Sequence, residues 1–267
     1  MTAADLTFSV VASDLDGTLV RTDGMISDRT VAALAQAEVA GALVVFVTGR
    51  PPRWMQPIVE ATGASGLAIC ANGALVYDLG RGEVVREHAL QPAAAAELVR
   101  AIRSALPGVH FAVESAQQFG HEPGYVPAWP APGRRIAAVE DLVATPVTKL
   151  LIRHPGRGPE EIHQQVVEIA GETAVVTYSG ETLLEVSGAG VSKASTLASL
   201  CAERGFGAER VLAFGDMPND IPMLRWAGLG VAVGNAHDSV LAVADEVTAP
   251  NDEDGVALVV EREFPVG

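Results

Sequence analysis

Two aspartates separated by one residue, Asp14 and Asp16, follow an apolar run that begins at Val10, and a glycine comes directly after them. A continuous apolar run predicts a strand that is buried on both faces of a parallel sheet. Carboxylates at the end of such a strand suit Mg²⁺, and an aspartate beside that ion can attack phosphorus. A solvated turn is the plain alternative. A calcium loop of the EF-hand type fits less well, because Leu19 stands where that loop requires glycine.

Further groups of polar residues follow other apolar runs. They are Thr48, Gly49 and Arg50 after residues 42–47, Asn72 and Gly73 after residues 67–70, and Asp216, Asn219 and Asp220 after residues 210–214. Ligand sites in open α/β folds lie beyond the carboxyl ends of the strands. A threonine hydroxyl and free backbone N–H groups at such a place can bind a phosphate oxygen. The second acidic group on the same predicted sheet makes a solvated turn at Asp14 a weaker explanation.

The chain contains two lysines, Lys149 and Lys193, against sixteen arginines. A compact ammonium fits a crowded phosphate site, whereas the guanidinium of arginine is planar and larger. Lys193 lies in the first turn of a helix predicted at residues 191–204, and it is a candidate phosphate ligand. The alternative is a lysine that extends its charge into solvent from the first turn of that helix.

The elements that must position these residues follow an α/β pattern. Strands alternate with helices up to about residue 80 and again from residue 188, which predicts a doubly wound parallel sheet built from residues 1–80 and 188–267. Residues 81–187 carry shorter strands and hairpin-like turns, with helices predicted at 92–106 and 159–170. We expect these residues to form an inserted α+β domain. The proline-rich stretch 115–146 reads as a long loop that is either functional or merely mobile.

Composition narrows the classes of function. The formal net charge is -15 and the sequence pI is near 4.7, so a surface that binds nucleic acid is not expected. No apolar run approaches the roughly 18 residues needed to span a bilayer, and we expect a cytoplasmic protein without a membrane partner. Cys70 and Cys201 lie far apart within apolar segments, which predicts buried free thiols. We expect a monomer or a weak homodimer.

The motifs Asp14-Leu-Asp-Gly-Thr, Thr48-Gly-Arg, Lys193 and Gly215-Asp216-x-x-Asn219-Asp220 resemble, in this order, the four motifs of the haloacid dehalogenase superfamily. Asn72-Gly73 and the size of the insertion resemble the Cof-type branch, subclass IIB, of sugar-phosphatase-like enzymes. The resemblance implies a Rossmann-like core in which residues 81–187 form a cap domain over the site.

The resemblance also implies roles for the polar residues. Asp14 would be the nucleophile and Asp16 the general acid and base, and both would bind Mg²⁺ together with Asp216. Asp220 would support the site. The remaining residues would bind phosphate or substrate: Thr48, Gly49, Arg50, Asn72, Gly73, Lys193 and Asn219.

The expected function is therefore a Mg²⁺-dependent phosphatase that hydrolyses a small phosphorylated metabolite, a sugar phosphate or similar, through an aspartyl-phosphate. A phosphomutase shares the same motifs, and a catalytically silent Mg²⁺-binding regulatory protein is the alternative outside enzymes. Substrate choice is expected to depend on residues 81–187, with Tyr125, Trp129 and Glu185 as candidates.

Overall fold

The computed structural model describes residues 7–116, 118–127, 133–178, 180 and 182–265. In chain order its strands are β1 (Val10–Ser13), β2 (Leu43–Val47), β3 (Leu67–Cys70), β4 (Leu75–Asp78), β5 (Glu83–Glu87), β6 (His110–Glu114), β7 (Phe119–His121), β8 (Arg135–Ile136), β9 (Lys149–Arg153), β10 (Ala174–Thr177), β11 (Leu184–Gly188), β12 (Val211–Gly215), β13 (Leu229–Ala232) and β14 (Glu246–Val247). The helices are α1 (Asp28–Val39), α2 (Gln56–Thr62), α3 (Pro92–Ala105), α4 (Val139–Leu142), α5 (Pro159–Ala170), α6 (Lys193–Glu203), α7 (Ile221–Trp226), α8 (Asp238–Leu241) and α9 (Gly255–Glu263).

The larger sheet has the strand order β14-β13-β12-β1-β2-β3-β4-β5 within the described residues. Strands β14 to β3 run parallel, and β1 is buried along its whole length, as its apolar sequence predicts. From β1 the chain moves one way across the sheet to β3, and from β12 it moves the other way to β14. Because parallel crossovers are right-handed, these two directions place their helices on opposite faces. The doubly wound α/β class is therefore confirmed.

The antiparallel end of this sheet differs from the expectation. Strand β5, which the sequence analysis assigned to the inserted domain, pairs with β4 at the edge of the larger sheet. The reason is a tight hairpin turn after Asp78, where the N–H of Gly82 donates to the Asp78 carbonyl. Beyond it, Leu90 forms an isolated bridge with Val147, two residues before β9 of the second sheet.

The smaller sheet has the order β10-β11-β9-β6-β7-β8 among the described residues. We call this sheet and helices α3, α4 and α5 the cap. Strands β10 and β11 pair antiparallel, as expected for the hairpin-like turns predicted within residues 81–187. Alternate residues of each strand point to opposite faces, so Leu150 and Ile152 pack with α3 and α5 while Leu151 belongs to a separate apolar cluster on the other face.

The stretch 115–146 is more ordered than a long loop. It contains β7, β8 and α4, so the expectation of an irregular segment is wrong for these elements, whereas its other described residues lie in turns and loops. Prolines and glycines interrupt the stretch, and elements as short as these leave no clear pattern in the sequence. Trp129 lies outside the described residues.

No helix in the described part of the chain combines the length and the apolar character that crossing a membrane requires.

Candidate active site

The parallel order β12-β1-β2-β3 brings the predicted residues to one edge of the larger sheet. Asp14 follows β1, Thr48 follows β2, Asn72 lies two residues after β3, and Asp216 follows β12. Carboxyl ends of neighbouring parallel strands share an edge, so groups far apart in sequence meet there. The N–H of Asn72 donates to the carbonyl of Thr48 at 3.0 Å, which joins the second and third strand ends directly.

Lys193 is the centre of the buried charge at this edge. Its Nζ lies 2.6 Å from Oδ1 of Asp14 and 2.6 Å from Oδ1 of Asp220. The residue begins α6, where Ser192 caps the helix by accepting from the N–H of Ser195. Its side chain is 1% exposed, so a lysine that extends into solvent is excluded. Burial lowers the pKa of Lys193, but the two carboxylates outweigh burial and raise it above its ordinary value.

Three buried aspartates form the acidic group of the site. Carboxylate oxygens of Asp14, Asp216 and Asp220 all lie within 4.8 Å of one another. The hydroxyl of Thr18 donates to Oδ1 of Asp216 at 2.8 Å, which explains the threonine of the first motif. Gly17 has a φ of +80°, and a side chain there would collide with Asp216. The glycine is therefore required both by its backbone conformation and by the close approach of this carboxylate.

The acidic group fits a divalent cation. Three buried carboxyl groups face one ammonium, that of Lys193, so ionisation of all three would leave an excess of buried negative charge. Burial, followed by the charge of Asp220, raises the pKa of Asp216 to about 6. Burial also raises the pKa of Asp14 well above its usual range. A Mg²⁺ ion would offset this repulsion with the oxygen ligands that it prefers.

Asp16 stands apart from this group. Its carboxylate accepts from Nε of Arg50 at 2.8 Å and from Nη2 at 2.6 Å, and its side chain is 60% exposed. The expected metal ligands were Asp14, Asp16 and Asp216, whereas the group that the structure brings together contains Asp220 in place of the Asp16 carboxylate. The sequence offered no signal for the Arg50 pair, because 34 residues separate the two partners.

The remaining core residues form a hydrogen-bonded rim around Asp14. The hydroxyl of Thr48 accepts from the N–H of Arg50 at 3.0 Å. Asn72 adopts a left-handed conformation with φ of 58°, and its Oδ1 accepts from Nδ2 of Asn219 at 3.1 Å. Gly73 has no room for a side chain, since a Cβ would collide with the carbonyl of Ser192. Within the described residues, Oδ1 of Asn219 is buried without a hydrogen-bond partner, as expected of a group that meets a ligand.

The cap closes over this rim through buried polar contacts that the sequence analysis missed. Nζ of Lys149 donates to the carbonyl of Gly49 at 2.9 Å and forms an ion pair with Glu185. Oε2 of Glu185 accepts from Nδ2 of Asn72 at 2.8 Å. The scarcity of lysine was the available signal for Lys149, and Glu185 was a candidate only as a substrate contact. Their pairing depends on the neighbouring positions of β9 and β11.

An ion pair also joins the cap to the residues that follow β2. Nη1 of Arg53 lies 2.6 Å from Oε2 of Glu114, and Nη2 lies 2.8 Å from Oε1. Asp14, Asp16 and residues of both units line one cavity of about 670 Å³. Tyr125 lines it as expected, whereas Trp129 lies outside the described residues. The cavity has the size of a small-molecule site, which is roughly 300–1,000 Å³.

Known proteins share this architecture over nearly the whole chain. The profile of the haloacid dehalogenase-like hydrolases matches residues 11–260. The 5-amino-6-(5-phospho-D-ribitylamino)uracil phosphatase YcsE of Bacillus subtilis (strain 168) is 31% identical over 260 residues, which cover 97% of this chain and 96% of that protein. The pyridoxal phosphate phosphatase YbhA of Escherichia coli (strain K12) is 29% identical over 277 residues, covering 96% and 98%.

A solved subclass IIB sugar phosphatase of the superfamily superposes with a TM-score of 0.80 at 24% identity, covering 95% of this chain and 98% of its own. That likeness shows the fold, with the parallel core sheet and the second sheet of the cap. The match of the family profile shows the membership. The chain therefore belongs to the haloacid dehalogenase-like hydrolases, and its fold is that of a subclass IIB sugar phosphatase.

Proposed function

We propose that the protein is a Mg²⁺-dependent phosphatase that hydrolyses a small phosphorylated metabolite through an aspartyl-phosphate on Asp14. The observation that carries the proposal is the position of Asp14. Its carboxylate lines the cavity between core and cap, lies beside two further buried acids, and is held by Lys193. A nucleophilic carboxylate, a charge-neutralising group and a nearby acid are what phosphoryl transfer requires.

The chain's own residues account for both chemical steps. A carboxylate oxygen of Asp14 attacks phosphorus, the bond to the ester oxygen breaks, and that oxygen takes a proton from Asp16. Asp16 then removes a proton from water, the water oxygen attacks phosphorus, and phosphate leaves with Asp14 restored. The contact with Arg50 holds Asp16 in the cavity, and one of its two hydrogen bonds would open when the carboxyl carries the proton.

The phosphoryl oxygens have candidate partners on the rim. Lys193 supplies the positive charge, and Thr48 and Asn219 supply uncharged polar atoms. Gly49, Arg50, Asn72 and Gly73 form the loops that surround them. Asp14 and Asp216 would hold Mg²⁺, with Asp220 fixing Lys193 and the backbone of the fourth motif. When bound, the ion neutralises charge on the transferring phosphoryl group.

The comparisons favour hydrolysis over phosphoryl return to the substrate, because both curated relatives carry phosphatase names. Those two proteins act on a ribitylaminouracil phosphate and on pyridoxal phosphate. The expectation of a sugar phosphate substrate stays a prediction.

The test is turnover of p-nitrophenyl phosphate by the wild type and by Asp14→Asn, with MgCl₂ and with EDTA. We expect Mg²⁺-dependent release of phosphate by the wild type. Asp14→Asn should lower kcat on the order of 10³-fold or more, because an amide is not a nucleophile of this kind. An unchanged thermal unfolding transition would show that the variant folds. Activity retained in Asp14→Asn, or full wild-type activity in EDTA, would contradict the proposal.

A further inference from the structure

The face of the cap sheet that looks away from α3 and α5 carries its own apolar cluster. Ala112, Tyr125 and Leu151 are buried in it, and Phe119 and Leu183 pack against them. Its rings are in contact, with the centroids of Phe119 and Tyr125 6.4 Å apart in an edge-to-face arrangement. The cluster is separate from the cap's helix-facing core. A cap needs one apolar face to fold, so a second one requires another explanation.

This second apolar face lines the cavity that contains Asp14. Phe119, Tyr125, Leu151 and Leu183 all contribute to the cavity wall. The core contributes a further apolar group to the cavity wall, which consists of Pro51, Trp54 and Pro57. A leaving group attached to a phosphoryl group at Asp14 would therefore extend between two walls that are rich in carbon and carry aromatic rings.

The charged groups of the cavity are already engaged with one another. Arg53 forms a bidentate pair with Glu114, and Lys149 pairs with Glu185. Farther along β9, the guanidinium of Arg153 lies over the Tyr125 ring at 5.4 Å. Hydroxyl groups of a sugar would have to compete with these pairs or be buried against carbon, which removes their hydrogen bonds to water. A flat ring with apolar faces loses nothing by such burial and gains stacking contacts.

We infer that the leaving group of the natural substrate is a planar, heteroaromatic ring, which lies against the wall formed by Phe119, Tyr125, Leu151 and Leu183. This inference rests on the proposed phosphatase function and specifies its substrate class. The faces of the ring would contact the apolar walls of the cavity.

The test compares two phosphate esters of primary alcohols that differ in the ring. Pyridoxal 5′-phosphate carries a planar heteroaromatic ring, and glucose 6-phosphate carries a puckered, hydroxylated one. Acetyl phosphate, which has no ring, reports the phosphoryl chemistry alone. Release of phosphate is measured for the wild type in MgCl₂, and the readout is the ratio of kcat/KM for pyridoxal 5′-phosphate to that for glucose 6-phosphate. We expect a ratio of at least about 10.

The variant Phe119→Leu keeps apolar volume but removes the ring. It should lower the ratio by about 3- to 10-fold, since aromatic contacts are lost on one wall. Phe119→Tyr keeps the ring and should retain the preference. Tyr77→Leu is the matched control, because Tyr77 is a partly buried aromatic residue of β4 that packs in the core and does not line the cavity. Thermal unfolding of each variant checks folding.

The outcomes distinguish the planar-ring inference from the proposed phosphatase function. Turnover of acetyl phosphate together with a ratio near 1 or below would overturn the planar-ring inference and leave the phosphatase proposal standing. A high ratio that Phe119→Leu leaves unchanged would overturn the assignment of this wall. Failure to hydrolyse all three compounds in Mg²⁺ would overturn the proposed function, and the inference with it.

Discussion

Lys193 connects Asp14 to Asp220 of the fourth motif through a buried ammonium. Replacing it with methionine would leave Asp14 and Asp220 facing each other without a positive charge between them. We expect Lys193→Met to lower the free energy of unfolding by about 3–5 kcal/mol, because an uncompensated buried charge is strongly destabilising. Urea denaturation measures the change.

The double variant Lys193→Met, Asp220→Asn is the control for this prediction. It removes one of the two acids that the lysine compensates, so part of the lost stability should return. A loss below about 1 kcal/mol in Lys193→Met would show that the pairs with Asp14 and Asp220 do not stabilise the fold.

Both cysteines are free and buried, as the sequence indicated. Burial raises the pKa of the Cys70 thiol to about 12 and that of Cys201 to about 11. Since the thiolate is the reactive form, its fraction for Cys70 at pH 8 is on the order of 10⁻⁴. We expect no reaction of the folded protein with 5,5′-dithiobis(2-nitrobenzoic acid) at pH 8 and reaction of both thiols in urea. A thiol that reacts rapidly in the folded protein would contradict the burial.

At the scale of elements, the contact between β9 and β11 sets the position of the cap over the site. Lys149 on β9 and Glu185 on β11 form a buried pair, and each also reaches a loop of the larger sheet. We expect Lys149→Met and Glu185→Leu each to lower the free energy of unfolding by about 3 kcal/mol, because each leaves a buried charge without its partner. The double variant should lose less than the sum of the two.

A double-mutant cycle in urea measures the coupling between these two residues, and KM reports the position of the cap. A cycle in which the losses add within about 0.5 kcal/mol would show that the pair does not act as a unit.

The sequence predicted the site best where residues with reactive or polar side chains follow directly after an apolar run. Asp14, Thr48 and Asp216 could be placed together because parallel strands end at one edge. The pair of Lys149 and Glu185 could not be predicted, since 36 residues and the strand order of the cap separate them. Residues 83–87 fell within the range predicted for the inserted domain, whereas β5 pairs with β4 at the edge of the larger sheet. Long-range strand pairing carries no local signal.

At the scale of the whole molecule, the excess negative charge at the acidic group predicts stabilisation by Mg²⁺. The folded site offers neighbouring carboxylates that the unfolded chain does not hold together. At a Mg²⁺ concentration 100 times its Kd, the gain in unfolding free energy should be about 2.7 kcal/mol. Thermal unfolding in MgCl₂ and in NaCl of equal ionic strength separates binding from screening. Asp216→Asn should reduce the shift, and an equal Tm in both salts would contradict a specific site.

The expected monomer or weak homodimer stays a prediction at this scale. A net charge of -15 disfavours close association of identical surfaces at low salt. Light scattering over a range of protein concentrations and salt tests it.

The two chain segments that join the cap to the larger sheet lie side by side. A methyl group built on Gly188 would lie 3.9 Å from the carbonyl oxygens of His88 and Ala89. We propose that the insertion runs from about Leu90 to Gly188, so the core holds its ends together as it would hold the ends of a surface loop. Each doubling of the length of such a loop costs only about 0.6 kcal/mol of closure entropy. Caps of other lengths could therefore be grafted between these two points with little change in the folding of the core, and a different set of walls could be placed over Asp14.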